Sequence, residues 1–399
     1  MKREFHKKVL DNGMTILFEK RDIPVVSVAF AVRAGGINES EEEKGISHFI
    51  EHMLYKGTQT RNSKQIAEDI EKNGGELNGF TSEEIVAYWC KIPSKHLGVA
   101  LDVLGDIVKN PLFDKKEMEK ERQVIFEEIK MYKDNPRMHA FDEIQKAMYT
   151  GTMGINLAGT FETMNSIDRN QMIKKFKEIY KPNNFILCVV GNADFEEIVK
   201  FAEKNFGNEK GEVQKRKIEL RNQEKTEKRK GIDQANLVFA YHVPLANDKK
   251  SYSAVVLSTL LAEGMSSRLF AEIREKRNLV YAIKGHSNIN KGFAYNLIYA
   301  GTSKENVEKI KKLILEEFKK VSKELEEKEL NQVKEQLIGN YQIGMEDSQT
   351  QMVNLIVSEI QGNAEDFYDF EKNIKDVKLH DVKELAKLKD YSFFALIPE

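Results

Sequence analysis

Two histidines and a glutamate within one short stretch are the residues of this sequence best suited to chemistry. His48, Glu51 and His52 lie in residues 45–58, which read GISHFIEHMLYKGT and place apolar residues at the three- and four-residue intervals typical of a helix. Residues four apart share a helix face, so His48 and His52 can hold one metal ion, with the Glu51 carboxylate at the edge of that face. The same spacing also fits histidines that only pack or face solvent.

A zinc ion needs a further protein ligand, and a later predicted helix offers candidates. Glu121 and Glu128 are seven residues apart and therefore share a face, with Val124 and Ile125 between them. Apolar neighbours predict that this face points inward, where ionised carboxylates need a metal or a cation. We therefore predict Glu128 as the third ligand and Glu121 as a supporting partner of the ligands. Glu127 lies about 100° round the helix and is expected to face solvent.

Composition limits the class of protein. The 399 residues contain 62 Lys and Arg, 64 Asp and Glu, and 41% hydrophobic residues. These values predict a globular protein of two or three domains, without the basic surface that binds nucleic acid or an anionic membrane. No run approaches the ~18 apolar residues of a membrane span, and residues 1–12 lack the apolar stretch of a secretory signal. Cys90 and Cys188 lie in apolar, strand-like runs and are predicted to be buried, reduced thiols, so we expect a cytoplasmic protein.

A charged stretch at residues 208–230 predicts a linker between an N-terminal domain, residues 1–207, and a C-terminal domain, residues 231–399. Both halves read as strand, helix, strand and then two long helices. The predicted elements are residues 25–35, 45–58, 84–93, 94–109 and 115–132 in the first half, and 236–244, 251–263, 293–301, 304–327 and 329–342 in the second. The shared order indicates a duplication, although any α+β protein alternates its elements to some degree.

The sequence around the histidines resembles one known family. HFIEH has the H-x-x-E-H order of the inverzincin metallopeptidases, the pitrilysin, insulinase and mitochondrial processing peptidase family, in its short bacterial-type branch of ~400 residues. Three more segments are similar to family motifs: NGGELNGFTSEEIVAY, ERQVIFEEIKMYKDNP, and SSRLFAEIREKRNLVYAI, which carries Arg274 and Tyr281. The separation of 76 residues between His52 and Glu128 also fits the family. Gly79 departs from it, because many members have alanine there.

The resemblance implies an α+β fold of two homologous α/β-sandwich domains, each a mixed or antiparallel sheet packed with helices, together forming a half-shell. Two subunits, expected to be a homodimer, would close into a chamber. The second half lacks the metal site: residues 251–263 contain no histidine, and Val333 and Asn340 occupy the positions that correspond to Glu121 and Glu128.

The resemblance also implies the chemistry. One zinc ion per subunit would be held by His48, His52 and Glu128, and Glu51 would take a proton from the attacking water and pass it to the leaving amine. Arg274 and Tyr281 would reach across the chamber from the partner subunit, where the tyrosine hydroxyl can donate to the developing oxyanion.

Substrates are expected to be unfolded peptides, since the resemblance makes residues 74–81 an edge strand that pairs with an extended backbone. Asn78, Gly79 and Phe80 would contact the peptide.

Two alternatives to an active peptidase remain. The chain could be a catalytically silent scaffold or partner subunit, although such members usually lose part of the His and Glu set. A structural zinc would need a fourth protein ligand, and no further Cys or His lies near the motif. The other histidines are isolated in the sequence.

Overall fold

A computed structural model describes residues 4–399 of the chain. In this part of the chain, eleven strands form two sheets that are surrounded by helices. The strands are β1 (Glu4–Val9), β2 (Thr15–Lys20), β3 (Val25–Val32), β4 (Glu76–Thr81), β5 (Val86–Pro93), β6 (Phe185–Gly191), β7 (Glu224–Arg229), β8 (Ala235–His242), β9 (Val280–Ile289), β10 (Ala294–Thr302) and β11 (Ser392–Pro398).

The longer helices follow the predicted order, and several shorter ones connect them. They are α1 (Ile46–Leu54), α2 (Ser63–Glu71), α3 (Leu97–Lys109), α4 (Lys115–Asp134), α5 (Pro136–Met148), α6 (Phe161–Ser166), α7 (Arg169–Ile179), α8 (Phe195–Asn205), α9 (Ser251–Ala262), α10 (Val307–Glu324), α11 (Glu327–Gly344), α12 (Ser348–Gln361), α13 (Phe370–Asp376) and α14 (Leu379–Leu385). Over residues 4–399, none combines the length and the apolar character that a membrane span requires.

The first sheet has the strand order β1-β2-β6-β3-β5-β4. Its central strands β3 and β6, VVSVAFAV and FILCVVG, are almost continuously apolar, because they are covered on both faces. Cys90 in β5 and Cys188 in β6 are fully buried free thiols, as predicted. β4 lies at the end of the sheet, where it pairs with β5 only. Its outer edge therefore pairs with no other strand within the described residues.

The second sheet has the order β7-β11-β8-β10-β9, which repeats the order β2-β6-β3-β5-β4 of the first sheet. Strand directions agree as well: β2 with β6 and β7 with β11 are parallel pairs, and the remaining neighbours are antiparallel. This shared topology confirms the predicted duplication and the α+β class. β7 lies within residues 208–230, so part of the predicted linker is an edge strand rather than a solvated connection.

The chain divides into two compact units that are not continuous in sequence. The first comprises the residues up to Lys130 together with Ile155–Lys217 and Gly344–Glu365, and the second comprises Met131–Gly154, Ile218–Ile343 and Asp366–Glu399. The first sheet is thus packed against α12, a helix from the second half of the chain, and the second sheet is packed against α5 from the first half. The compact units differ from the predicted domains, residues 1–207 and 231–399, because each unit includes a helix from the other half of the chain.

Candidate active site

The N-terminus of α1 is held by a buried carboxylate. Glu39 accepts hydrogen bonds from the backbone N–H of Gly45, at 3.0 Å, and of Ser47, at 2.7 Å, which satisfies two donors that the helix leaves unpaired. Gly45 has a φ of 95°, a left-handed conformation that favours glycine. The Lys44 ammonium is fully buried 3.8 Å from Glu39 and 3.5 Å from Glu83. These contacts fix where the histidine helix begins.

The turn that follows α1 is fixed just as firmly. Gly57 has a φ of 127°, which a side chain would make unfavourable. Thr58 donates from its hydroxyl to Asp106 of α3 at 2.6 Å, and Lys56 donates to Glu121 of α4 at 2.7 Å. The Lys-Gly-Thr segment therefore connects the C-terminal end of α1 to two neighbouring helices.

Three side chains from α1 and α4 bring their donor atoms together. The Nε2 atoms of His48 and His52 lie 3.2 Å apart, and carboxylate oxygens of Glu128 lie 3.6 Å and 3.7 Å from them. A tetrahedral zinc ion with bonds of ~2.0–2.1 Å places its ligand atoms about 3.3 Å apart, so the three residues fit this metal. Among the described residues they are the one group of three such side chains with this proximity.

The contact with Glu121 and the burial of His48 leave both imidazoles in a state that suits metal binding. Glu121 Oε2 lies 3.1 Å from Nδ1 of His52 and can hold that ring so that Nε2 faces the metal position. Burial, followed by the nearby charge of His52, lowers the pKa of His48 to about 3. His48 is therefore neutral near pH 7, which is the form that binds metal. Among residues 4–399, its buried Nδ1 has no hydrogen-bond partner.

The acidic residues of α4 differ in how far their side chains are exposed to solvent. Glu121 is buried, Glu128 keeps 30% of its side chain exposed, and Glu127 is 71% exposed and paired with Lys130. Ile125 is buried, but the prediction that Val124 also faces inward is wrong, because Val124 is 43% exposed. The buried face of α4 is therefore narrower than the sequence indicated, because it includes Glu121 and Ile125 but not Val124.

Glu51 lies between the two histidines along α1, and its carboxylate interacts with the charges of His52 and Glu128. Thr81, the last residue of β4, donates from its hydroxyl to Glu51 Oε2 at 2.9 Å. Burial raises the pKa of Glu51, and the Thr81 hydrogen bond opposes that shift in part. No pattern in the sequence indicates this contact of Thr81. The contact depends on how β4 is placed against α1, for which the residue pattern holds no signal.

β4 carries the residues predicted to bind substrate. Asn78 is exposed, and its Oδ1 accepts from the Gly79 N–H at 2.8 Å, while Gly79 and Phe80 are half-buried. β4 forms one edge of the first sheet, and its last residue, Thr81, contacts Glu51. An extended chain paired with this edge would therefore pass the Glu51 carboxylate.

Arg274 and Tyr281 belong to the second compact unit. Arg274 lies in the helical turn Phe270–Glu275, with its guanidinium 4.9 Å from the centre of the Phe270 ring. Tyr281 is the second residue of β9, an edge strand of the second sheet. It is 48% exposed, and its hydroxyl lies 3.2 Å from that of Tyr299. Their predicted approach to a zinc site on another subunit stays a prediction.

Family models match both halves of the chain. The model described as Insulinase (Peptidase family M16) matches residues 15–160, and the model described as Peptidase M16 inactive domain matches residues 166–337. The first match contains the candidate metal ligands. The second covers β8, α9 and β10, where α9 has no histidine.

Relatives and solved structures agree with these matches. An "Uncharacterized zinc protease YmxG" of Bacillus subtilis is 32% identical over 346 residues, 86% of this chain and 84% of the relative. A zinc protease of Streptomyces coelicolor is 28% identical over 402 residues, 96% of this chain and 86% of the relative. The crystal structure of a protease from Helicobacter pylori has a TM-score of 0.92 at 22% identity and covers 99% of this chain and 100% of that one. A Pseudomonas fluorescens structure described as a peptidase M16 inactive domain has a TM-score of 0.88 at 18% identity, with coverage of 99% and 98%.

Proposed function

We propose that this chain, which belongs to the insulinase (M16) family of peptidases, is a zinc-dependent endopeptidase that cleaves unfolded peptides. The observation that carries the proposal is the cluster of His48, His52 and Glu128 with the Glu51 carboxylate beside it. The donor distances of 3.2–3.7 Å fit zinc, and the neighbouring carboxylate is available as a base. The names of the relatives, zinc proteases, support the same metal and reaction.

Each residue of the site has a separate role in this proposal. When bound, zinc supplies a Lewis acid that lowers the pKa of water and polarises the scissile carbonyl. Glu51 accepts the proton of the attacking water on its carboxylate and returns it to the leaving amine. Glu121 orients His52, and Thr81 holds one oxygen of Glu51. Burial favours protonation of Glu51, which suits a group that must give its proton back.

We propose β4 as the strand that receives the peptide. Main-chain hydrogen bonds to the outer edge of β4 would align an extended substrate, with Asn78, Gly79 and Phe80 as contacts, and would bring it past Glu51. Backbone pairing tolerates many sequences, so the unfolded state of the substrate would decide which proteins are cleaved. We also propose that two copies of the chain form a homodimer in which Arg274 and Tyr281 complete the site of the partner.

The first prediction tests the reaction with Glu51→Gln. This substitution keeps the shape of the side chain but removes the base, so cleavage of an unfolded, quenched-fluorescence peptide should fall by about 100-fold or more, as for the loss of a general base. Zinc content, measured by atomic emission on the purified protein, should stay equal to wild type. A folded globular protein serves as the control substrate and should remain intact.

Two outcomes would contradict the proposal. Loss of zinc from Glu51→Gln would make Glu51 a ligand rather than a base. A wild-type protein that binds zinc but cleaves no unfolded peptide would favour the catalytically silent alternative within the same family.

A further inference from the structure

Tyr55 carries a buried hydroxyl that has no hydrogen-bond partner in the part of the chain that the structure describes. It follows the last residue of α1 and lies four residues after Glu51, so both side chains point from the same side of the helix. Its ring lies 5.8 Å from that of Tyr88, and its hydroxyl oxygen is out of contact with solvent. Within residues 4–399 this oxygen makes no hydrogen bond. An unpaired buried hydroxyl lowers the stability of a fold, so its presence beside a carboxylate needs another explanation.

Gly79 of β4 makes the room that this hydroxyl occupies. A Cβ atom at position 79 would collide with the Tyr55 hydroxyl and would lie 3.1 Å from Glu51 Oε1. The Tyr55 hydroxyl oxygen and Glu51 Oε1 therefore both lie next to the volume that a side chain at position 79 would occupy. In this chain, the volume that an alanine methyl would fill belongs to the Tyr55 hydroxyl.

The two oxygens of Glu51 have different surroundings. Oε2 accepts the hydrogen bond of Thr81 at 2.9 Å, whereas Oε1 faces the side occupied by Tyr55 and Gly79. Burial, and next the Glu51 charge, raise the pKa of Tyr55 well above its ordinary value. The hydroxyl therefore keeps its proton and can act as a donor. A carboxylate oxygen can accept two hydrogen bonds, so a bond from Tyr55 would leave Oε1 able to take a proton.

We propose that Tyr55 is a positioning residue for Glu51: its hydroxyl donates to Oε1 during turnover and, together with Thr81 on Oε2, holds the carboxylate toward the attacking water. This role rests on the proposed function, because it gives Tyr55 a part in the action of Glu51 as the base. Tyr55 contacts neither the metal position nor the peptide in this proposal, so its removal should affect the rate of reaction and leave binding unchanged.

The test is Tyr55→Phe, which removes only the hydroxyl. The kcat for an unfolded peptide should fall by about tenfold or more, as expected for one lost hydrogen bond to a charged group, while KM stays within about twofold of wild type. Zinc content should not change. The Tm should be equal to or above that of wild type, because the resting protein loses no hydrogen bond.

Tyr180→Phe is the matched control. The Tyr180 hydroxyl is also buried, but its hydrogen-bond partner is the Tyr88 hydroxyl, at 2.7 Å, rather than Glu51. Its removal should lower the Tm and leave kcat unchanged, which is the opposite of the result expected for Tyr55→Phe. Gly79→Ala provides a second measurement. It should lower the Tm less in a Tyr55→Phe protein than in wild type, because the hydroxyl that obstructs the methyl is gone.

Three results would overturn the proposal: an unchanged kcat in Tyr55→Phe, a fall in kcat that accompanies a lower Tm or lost zinc, or an equal effect of Gly79→Ala in both proteins. Failure of the proposed function is recognised separately, before any variant is made. In that case the zinc-loaded wild-type protein itself would cleave no peptide, and the role of Tyr55 would fall with it.

Discussion

Glu127 and Glu128 are adjacent in sequence but have opposite surroundings. Glu127 is 71% exposed and forms an ion pair with Lys130, whereas Glu128 faces both imidazoles. The rotation of about 100° per residue along a helix produces this difference. A metal at the site would bind one carboxylate and leave the other in solvent, so the two glutamates make a matched pair for experiment.

The second prediction is that Glu128→Gln lowers zinc affinity and Glu127→Gln does not. An amide is a weaker ligand than a carboxylate, so the loss for Glu128→Gln should be at least about tenfold, the lower end of the range for partners around metal ligands. Competition with a zinc-binding dye measures the affinity directly. Equal effects in both variants would move the third ligand away from Glu128.

At the scale of residues, the sequence predicted how side chains of the same helix lie relative to one another. Helical periodicity indicated His48 with His52 and distinguished Glu128 from Glu127, because those relations depend on the helix alone. It could not indicate that Thr81 contacts Glu51, since that contact requires β4 to be placed against α1. The exposure of Val124 was missed for a similar reason: a partly apolar face does not reveal how far the neighbouring helices extend.

At the scale of elements, one carboxylate anchors the turn after α1. Asp106 of α3 is buried and accepts hydrogen bonds from four side chains. These are Thr58, Thr60, Arg61 and Asn110. Burial alone would raise the pKa of Asp106, but the four hydrogen bonds outweigh it, and the pKa lies below its ordinary value. The stability contributed by Asp106 is therefore present above the unfolded-state pKa of about 3.9 and is lost as the pH falls through the folded-state pKa.

The third prediction is that Asp106→Asn lowers the free energy of unfolding at pH 7 by about 2 kcal/mol, the value of a hydrogen bond to a charged group. The difference from wild type should shrink below about pH 4, because the Asp106 carboxylate of the unfolded wild-type chain takes up a proton there before that of the folded protein does. Urea unfolding at pH 7 and at pH 3.5 measures both values. Asp102→Asn is the control, because Asp102 is 64% exposed and contacts only Arg61 among these residues. An equal loss in the two variants would contradict the anchoring role.

Element order was predicted well and element partners less well. The strand at residues 25–35 and the helices at residues 45–58 and 115–132 correspond to β3, α1 and α4. β7 was missed, because its letters, EKTEKR, are charged and have little of the apolar alternation of a strand. It forms because it pairs in parallel with the apolar β11, a partner far away in the sequence.

At the scale of the whole molecule, the fourth prediction concerns the homodimer. If each site combines Glu51 of one subunit with Tyr281 of the other, a mixture of Glu51→Gln and Tyr281→Phe proteins should recover activity after subunit exchange. Half of the dimers would then be mixed, and each would hold one intact site, which gives about a quarter of wild-type activity from two-fold symmetry. Exchange is verified by mass spectrometry of differently tagged chains. Absence of recovery after verified exchange would place Tyr281 outside the partner's site.

The two compact units could not be read from the sequence, because each one combines distant segments. Charge and composition indicated a break at residues 208–230, where the chain does pass from the first sheet to the second. Nothing in α5 or α12 indicates which sheet each helix covers, since both are ordinary amphipathic helices. Hydrogen bonds fix the arrangement of α12: Ser348 lies 2.9 Å from Ser27, and Gln351 donates to Glu19 at 2.7 Å.

The place of α12 on the first sheet has a consequence for synthesis on the ribosome. β6 completes that sheet at Gly191, but α12 begins only at Ser348. At about 5–20 residues per second, the nascent chain waits for several seconds or longer with apolar side chains of β3 and β6 uncovered. Exposed apolar surface of this kind favours association with other chains during that interval. The N-terminal half, although it is made first, reaches its native state only when the last part of the chain has emerged.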